Sequence, residues 1–418
     1  MTDNIFIRLN KNVYICKGYC NSLIMDCNTQ RIYQIDLEAY KTLCSFLNGK
    51  IFFYGKDELI DKFITYLYEK ELVIYTKSYT HTDTLPSKEL AALKNVWLEL
   101  RRNCNLNCIH CYNNSNHCAE INQVLSLNNW IEIVNQLKEY NPQNIILIGG
   151  EPLLYVDIAN LIKHVRSEIP NATIVLYSNL TFLKKEIIDC IKNNNVKVVT
   201  SIYADNAEIH DSITTKEGSF QKTIQNIKTL KGLGVDVKAN TVIMSKNQSV
   251  VDKTVSFIKE LTDYSPKIDE IRPTTKKLES LIPTKSIRKN VIKSIGDIEK
   301  PTKSKIIRAI SGNSCWQGKI NISYDGYISP CIMQNPEMIE KYNLKNTTVK
   351  NIIEEYIIPK FWMLSKDKIR ICSDCEFRYL CNDCRPLAKA LEMRADNCNY
   401  DPYSGKWNGN INKNVIDK

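Results

Sequence analysis

At 418 residues, 43% of them hydrophobic, the chain can bury a large core spread over two or three domains. No apolar run approaches the roughly 20 residues that span a bilayer, and no charged-then-apolar leader with a small-residue cleavage site opens it, so a soluble cytoplasmic protein without a membrane partner is expected. The formal charge of +10 comes from lysines that are scattered rather than massed on one stripe, which gives no reason to expect nucleic-acid binding.

Residues 1–85 contain no CxxC pair. Ile5 to Leu9 alternates like a strand, and Asn21 to Ile35 reads as a β-hairpin turning at Asn28 and Thr29. Asp36 is placed to cap a helix that carries Ala39, Leu43, Phe46 and Leu47 on one face. A second helix, from Asp57 to Lys70, is expected to turn Leu59, Ile60, Phe63, Ile64 and Leu67 inward, and Leu72 to Tyr75 closes the module as a strand. This order resembles the winged-helix element that recognises leader peptides in peptide-modifying systems, where a peptide strand extends a sheet edge. A DNA-binding winged helix is the competing reading, but no basic recognition helix is present in the sequence. Cys16, Cys20, Cys27 and Cys44 lack metal spacing and read as structural thiols. A polar linker follows, from Lys77 to Pro86.

From 94 to 275 the chain alternates strand and helix, with strand candidates at 96–101, 144–148, 173–178, 197–203, 236–243 and 267–272. Six βα units predict a parallel sheet that right-handed crossovers curl into a partial (β/α)6 barrel, so the fold class is α/β. Active residues of such barrels gather at the C-terminal ends of strands. Two motifs fall there. Cys104, Cys108 and Cys111, spaced CxxxCxxC and followed by Tyr112, come after the first strand; Gly149, Gly150, Glu151 and Pro152 come after the second. Four thiolates normally hold a cubane iron–sulfur cluster, so three on one loop suggest a cluster with one iron open to a small molecule. A zinc knuckle is the competing reading of the three cysteines alone.

Residues 276–310, rich in Lys, Ser and Pro, read as a bridge. The last region, 311–418, carries Cys315, Cys331, Cys372, Cys375, Cys381, Cys384 and Cys398. Sixteen cysteines grouped in this way point to metal ligation in a reducing compartment, not to a disulfide framework. Cys118 and Cys190 read as packing thiols.

CxxxCxxC paired with GGEP resembles the radical S-adenosylmethionine (SAM) enzymes, and the last seven cysteines resemble the SPASM extension found in part of that superfamily. Cys372 to Arg385, the stretch from Cys398 to Trp407, and Cys16 to Asp26 are similar to SPASM peptide maturases of the grasp-with-spasm type. The stretch from Thr200 to Phe220, with His210, Asp211 and Ser219, looks like the peptide- and protein-modifying branch; His210 and Asp211 are expected to fix the turn before the next helix.

The resemblance implies SAM and three [4Fe–4S] clusters. Cys104, Cys108 and Cys111 would hold the SAM-binding cluster. Cys372, Cys375, Cys381 and Cys398 would close one auxiliary cluster, and Cys315, Cys331 and Cys384 would hold the other with one iron left without a cysteine. About ten thiolates around three such cores would remove roughly four of the formal positive charges. Tyr112, Gly149, Gly150, Glu151, Pro152, Ser178, Asn179, Ser201, Asn240 and Arg272 become candidate SAM contacts, with glycines giving backbone access and Glu151 accepting from SAM's ammonium. The implied activity is reductive cleavage of SAM to a 5′-deoxyadenosyl radical that takes hydrogen from a ribosomally made precursor peptide with a leader, forming a cross-link such as a thioether. The implied partners are an electron donor such as flavodoxin or ferredoxin and an ATP-grasp ligase in the same pathway. A formylglycine-forming protein maturase, a non-catalytic iron–sulfur scaffold and a zinc-binding interaction protein are the rival readings. No catalytic acid or base is legible.

Overall fold

The computed structural model describes residues 4–116, 124–273, 275–284, 295–333, 342–382, 384–388, 390–395 and 398–407; Cys118 lies outside the described residues. The chain divides into two units, one of residues 1–91, 289–315 and 363–418, the other of residues 92–288 and 316–362.

In the first unit β1 (Phe6–Leu9), β2 (Val13–Lys17), β3 (Asn21–Asp26), β4 (Arg31–Asp36), α1 (Leu37–Leu47), α2 (Glu58–Glu69) and β5 (Val73–Thr76) follow one another. β2, β3 and β4 form an antiparallel sheet in that order, and β1 pairs antiparallel with β5. The hairpin turns where expected because Asp26 Oδ1 accepts from the Asn28 and Thr29 N–H groups, at 2.8 and 3.4 Å. Asp36 and Asp57 cap their helices through the N–H groups of Ala39, Leu59 and Ile60.

Leu59 does not turn inward; it is 79% exposed. The inward position goes to Asp61, whose Oδ2 accepts from Gly55 N at 2.7 Å. β2 was not anticipated, because Val13, Tyr14, Ile15 and Cys16 are all buried and leave no polar alternation to read. Its two faces serve two cores. Ile15 and its register partner Ile24 pack with Leu43, Phe46, Ile64 and Leu67. Tyr14, Cys16, Leu23 and Met25 pack instead with Ile306 and Ile310 of a helix at Lys303–Ser311, and with Phe377, Leu380 and Tyr400.

In the second unit the six expected strands are present: β6 (Asn95–Glu99), β7 (Asn144–Ile148), β8 (Thr173–Tyr177), β9 (Lys197–Ser201), β10 (Val237–Ile243) and β11 (Ile268–Glu270). They pair in parallel in sequential order. Between them run α3 (Leu127–Leu137), α4 (Ile158–Glu168), α5 (Lys185–Asn193), α6 (Ala207–Thr214), α7 (Ser219–Gly232) and α8 (Val251–Thr262), with α9 (Lys276–Glu279) after β11. Two strands come from the later cysteine-bearing sequence. β12 (Lys319–Ile322) adds in parallel to β6, and β13 (Ile328–Ser329) pairs antiparallel with β12, giving an eight-stranded, mostly parallel sheet.

One face of this sheet is fully buried, by Val96, Leu98, Ile145, Leu147, Ile174, Leu176 and Val198, each at 0% exposure. The other face carries Trp97, Glu99, Tyr177, Ser201 and Asn240, related through the parallel registers. Parallel strands covered by helices explain the near-continuous apolar runs. On the second face Glu99, Tyr177 and Ser201 stand at the C-terminal ends of their strands.

Candidate active site

The cysteine loop leaves β6 and is pinned from three sides. Gly150 N donates to Arg101 O (2.7 Å) and Glu151 N to Asn103 O (3.0 Å), so the turn after β7 lies against the start of the loop. A Cβ on Gly149 would sit 2.4 Å from Arg101 O, and one on Gly150 would sit 2.2 Å from Asn103 O. The room these glycines provide is therefore filled by the cysteine loop's own backbone. From a second side, Ile109 N and Asn107 N donate to the Ile213 and Thr214 carbonyls, and Thr215 Oγ1 donates to Asn107 O. The third brace is local: Cys104 N donates to Asn116 O (3.1 Å).

The loop after β9 explains how α6 comes to act as a brace. Asp211 accepts from Gly218 N, Ser219 Oγ and Phe220 N, fixing the turn into α7. Burial pushes its carboxyl up, but these donors outweigh burial and hold it below the usual carboxylate range. His210, 2% exposed, accepts through Nδ1 from Tyr203 N.

The three thiols are near enough for each charge to disfavour the next. Burial pushes Cys104 up to about 11, with Glu151 and Cys111 adding to the shift, and Cys108 is raised further by burial, Cys111 and Cys104. Three crowded, desolvated thiolates call for a strongly positive partner, and metal coordination deprotonates thiols outright. Two of the sulfurs also receive N–H donors, Leu106 N on Cys104 at 3.4 Å and Ser115 N on Cys111 at 3.3 Å, as cluster thiolates do. Among the described residues no three such ligands converge on a single-ion position; a cubane does not need that, since each thiolate takes its own iron. The loop thus fits an iron–sulfur cluster.

Glu151 is 1% exposed. Its Oε1 accepts from Ser178 Oγ (2.8 Å) and Leu153 N (3.0 Å), and its Oε2 from Asn179 N (2.8 Å). Burial pushes its carboxyl up to about 7 against these donors. Pro152 opens the short 3₁₀ turn that Glu151 caps. The structure therefore joins Cys104, Cys108, Cys111, Gly149, Gly150, Glu151, Pro152, Ser178 and Asn179 in one bonded assembly. Ser201 enters it through the hydroxyl of Tyr203, which lies close to all three thiols. Tyr112, 38% exposed, lies near Glu99, Cys111 and Cys331. Asn240 and Arg272 stand apart: Asn240 Oδ1 accepts from Lys267 N (3.0 Å), and Arg272 pairs with Asp269 at 2.9 Å.

Sequence reasoning missed three residues here. Glu99, 8% exposed at the end of β6, accepts from Asn113 just past the cysteine loop, and burial pushes its carboxyl up to about 7. Tyr203 packs edge-on against His110, ring centroids 4.7 Å apart. The buried Nδ1 of His110 has no partner, and burial lowers its pKa to about 4, so the ring is neutral near pH 7. A carboxylate ending an apolar strand and an imidazole between two cysteines were the available signals.

In the first unit Cys372 begins a 3₁₀ turn, and Cys375 N donates back to Cys372 O at 3.1 Å. The Cys375 thiol is raised well above its usual range by burial, with Cys381, Glu376 and Cys372 adding to it. Cys375, Cys381 and Cys398 pack against the same apolar group. Cys315 lines a small cavity with Cys381 and Arg378. Cys384 belongs to this unit, whereas Cys331 belongs to the other, where its sulfur accepts from Met333 N at 3.4 Å.

Residues 98–258 match the profile of the Radical SAM superfamily. The antilisterial bacteriocin subtilosin biosynthesis protein AlbA of Bacillus subtilis is 23% identical over 320 residues, 73% of this chain and 70% of that protein. The AdoMet-dependent heme synthase of Methanosarcina barkeri is 28% identical over 183 residues, 44% of this chain and about half (52%) of that protein. The fold is similar to that of Streptococcus suis SuiB bound to S-adenosylmethionine, with a TM-score of 0.59 at 13% identity, covering 93% of this chain and 99% of that one. It is also similar to anSMEcpe with bound AdoMet, with a TM-score of 0.54 at 17% identity, covering 74% of this chain and 93% of that one.

Proposed function

We propose that this chain, a radical SAM enzyme whose residues 98–258 are its radical SAM domain, modifies a ribosomally made precursor peptide. The observation that carries this reading is the extent of the likeness. It runs over 95% of this chain and 98% of a SuiB solved with its precursor peptide SuiA, so it takes in the N-terminal module and the cysteine-rich C-terminus as well as the barrel. Similarity to a bacteriocin biosynthesis protein supports it from the sequence side. The protein-maturase alternative draws on the anSMEcpe likeness, which covers a smaller share of the chain, 74%.

A cluster on Cys104, Cys108 and Cys111 with SAM bound would supply the 5′-deoxyadenosyl radical that takes hydrogen from the peptide. The chain's own residues hold the thiols in place and keep Glu151 and Ser178 out of water. Cys372, Cys375, Cys381 and Cys398, and Cys315, Cys331 and Cys384, are proposed as SPASM-type ligands of two auxiliary [4Fe–4S] clusters. The peptide's leader is proposed to add a strand to β4. That strand ends its sheet and borders a cleft of about 500 Å³ lined by Arg31, Tyr33, Tyr66, Lys70 and Lys300. A thioether or other cross-link, a flavodoxin or ferredoxin donor, a cytoplasmic setting and an ATP-grasp ligase in the same pathway belong to the same proposal. Among the described residues no helix is long and apolar enough to cross a membrane.

The test is the intact mass of short peptides encoded beside the gene, after anaerobic co-expression with this chain. Loss of two hydrogens per modified site is expected. An unchanged mass without solvent deuterium uptake, while SAM is still cleaved to 5′-deoxyadenosine, would move the assignment to a protein substrate.

A further inference from the structure

We propose that the side chain of Asn179 sets the reduction potential of the cluster held by Cys104, Cys108 and Cys111, and couples it to whatever engages the Glu151 carboxylate. The proposal rests on the radical SAM assignment alone; failure of the peptide reading would leave the potentials below untouched.

Asn179 follows the C-terminal end of β8, and its amide has no spare hydrogen-bonding capacity. An Asn side chain offers two N–H donors and two acceptor lone pairs. Here Oδ1 accepts from Thr181 N (2.9 Å) and Thr181 Oγ1 (2.6 Å), while Nδ2 donates to Asn105 Oδ1 (2.8 Å) and Cys104 Sγ (3.7 Å). The amide cannot be flipped, because Thr181 N is a donor and needs an oxygen opposite it. Asn105 closes the ring by donating from its own Nδ2 to Thr181 Oγ1 at 2.8 Å. The Asn179 backbone is held as well, its carbonyl accepting from Thr223 Oγ1 at 2.8 Å. A residue read from the sequence as a SAM contact thus has its whole side chain committed within the protein, its Nδ2 to the cysteine loop and its Oδ1 to Thr181.

The consequence for the cluster is electrostatic. A donor aimed at a cluster thiolate stabilises the more negative, reduced state and raises the potential. Cys104 is 8% exposed, so water screens this dipole little. With Leu106 N on the same sulfur, Cys104 receives two N–H donors. One of these is a side chain, and so can be removed without rebuilding the loop.

The same residue reaches the other half of the site. Its N–H donates to Glu151 Oε2, so a single residue separates the buried carboxylate from the Cys104 sulfur. A cation or donor arriving at Glu151 competes for that oxygen and moves the peptide unit carrying the amide. Engagement of Glu151 is then felt at the cluster.

The test uses the full chain, anaerobically reconstituted, with a potentiometric titration of the EPR signal that responds to added SAM. Asn179→Ala is expected to shift its midpoint to lower potential. Asn179→Asp, which sets a carboxylate oxygen against the sulfur, should shift it further. Thr181→Val, which loosens one of the two bonds on Oδ1, should give a smaller shift of the same sign. In all three the change in midpoint on adding SAM should be smaller than in wild type. Unshifted midpoints in Asn179→Ala and Asn179→Asp at wild-type iron content would overturn the proposal. So would loss of this cluster in both Asn179 variants together with an unshifted Thr181→Val, which would leave Asn179 only a folding role.

Discussion

The two cysteine regions that can each be described within one unit are built in opposite ways. The loop of Cys104, Cys108 and Cys111 is short and sits on regular structure: β6 leads into it, the turn after β7 lies against it, and the end of α6 accepts its backbone N–H groups. Cys372, Cys375, Cys381 and Cys398 lie in a stretch of 3₁₀ turns and a two-residue-per-strand hairpin at Tyr400–Asp401 and Lys406–Trp407. There Ile371, a β-branched residue, holds φ at 70°, a conformation such residues rarely adopt. The first arrangement is braced by backbone bonds to the turn after β7 and to α6 that do not involve the thiols, so it should keep its shape without iron. The second is held by single-turn bonds such as Ser373 N to Ile369 O and Cys375 N to Cys372 O and by the packing of Phe377, Leu380 and Tyr400, with little regular structure, so metal ligation would itself be a large part of its folding energy.

The largest expected effect follows from that contrast. Removing iron with a chelator under reducing conditions should leave hydrogen-exchange protection of β6 to β10 nearly unchanged, while residues 372–382 and 398–407 lose theirs by orders of magnitude. Equal loss in both regions would break the comparison, and so would protection retained in both.

A second measurement probes the braced region alone. Gly150→Ala places a methyl group 2.2 Å from Asn103 O and 2.4 Å from Arg102 O, both backbone atoms that cannot rotate away. Overpacking of this kind costs about 1–3 kcal/mol and occasionally more. Here it falls on the contact that aligns the cysteine loop with Glu151. Formation of 5′-deoxyadenosine should drop by roughly two orders of magnitude, in keeping with about 3 kcal/mol at 1.36 kcal/mol per decade. The folding transition should fall by only a few degrees. Wild-type turnover would show that the loop is not held by this turn.

These regions also differ in how far they could be read from sequence. The barrel's strands were legible from their alternation with amphipathic helices, most clearly where an apolar run is closed by a motif, as in Asn144 to Ile148 before Gly149. The helix start at Asp36 was legible for a local reason too, a capping side chain, and the structure shows the same device at Asp57. What failed needed partners far along the chain. Lys319 to Ile322 joins β6 from more than two hundred positions away, and no local pattern announces such a pairing. Periodicity alone turns Leu59 inward, whereas Asp61 gains a hydrogen bond in that position. At the site, residue types gave the ligands but not their roles. Asn179 and Glu151 look like ligand contacts in the sequence, yet they spend most or all of their hydrogen bonds inside the protein.

The smallest effect tests the brace at one remove from the thiols. Asp211 holds the turn between α6 and α7 with three donors, and α6 in turn holds the cysteine loop. Asp211→Asn keeps one acceptor oxygen and removes the charge, so about 1 kcal/mol of stability should be lost near pH 7, less than a fully buried charged bond because water screens part of it. The pH dependence gives the sign. The folded-state pKa is depressed below the unfolded value of about 3.9, so the charged form's contribution is complete above that value and is lost as the pH falls through the folded one. Wild type and Asp211→Asn should therefore differ by a constant amount from about pH 5 to 8 and converge in acid. Urea denaturation of both chains at pH 7 and near pH 3 measures this directly. A gap that persists in acid would mean that Asp211 acts through shape, not charge, and that the α6 brace owes its rigidity to packing around His210 and Phe220 instead.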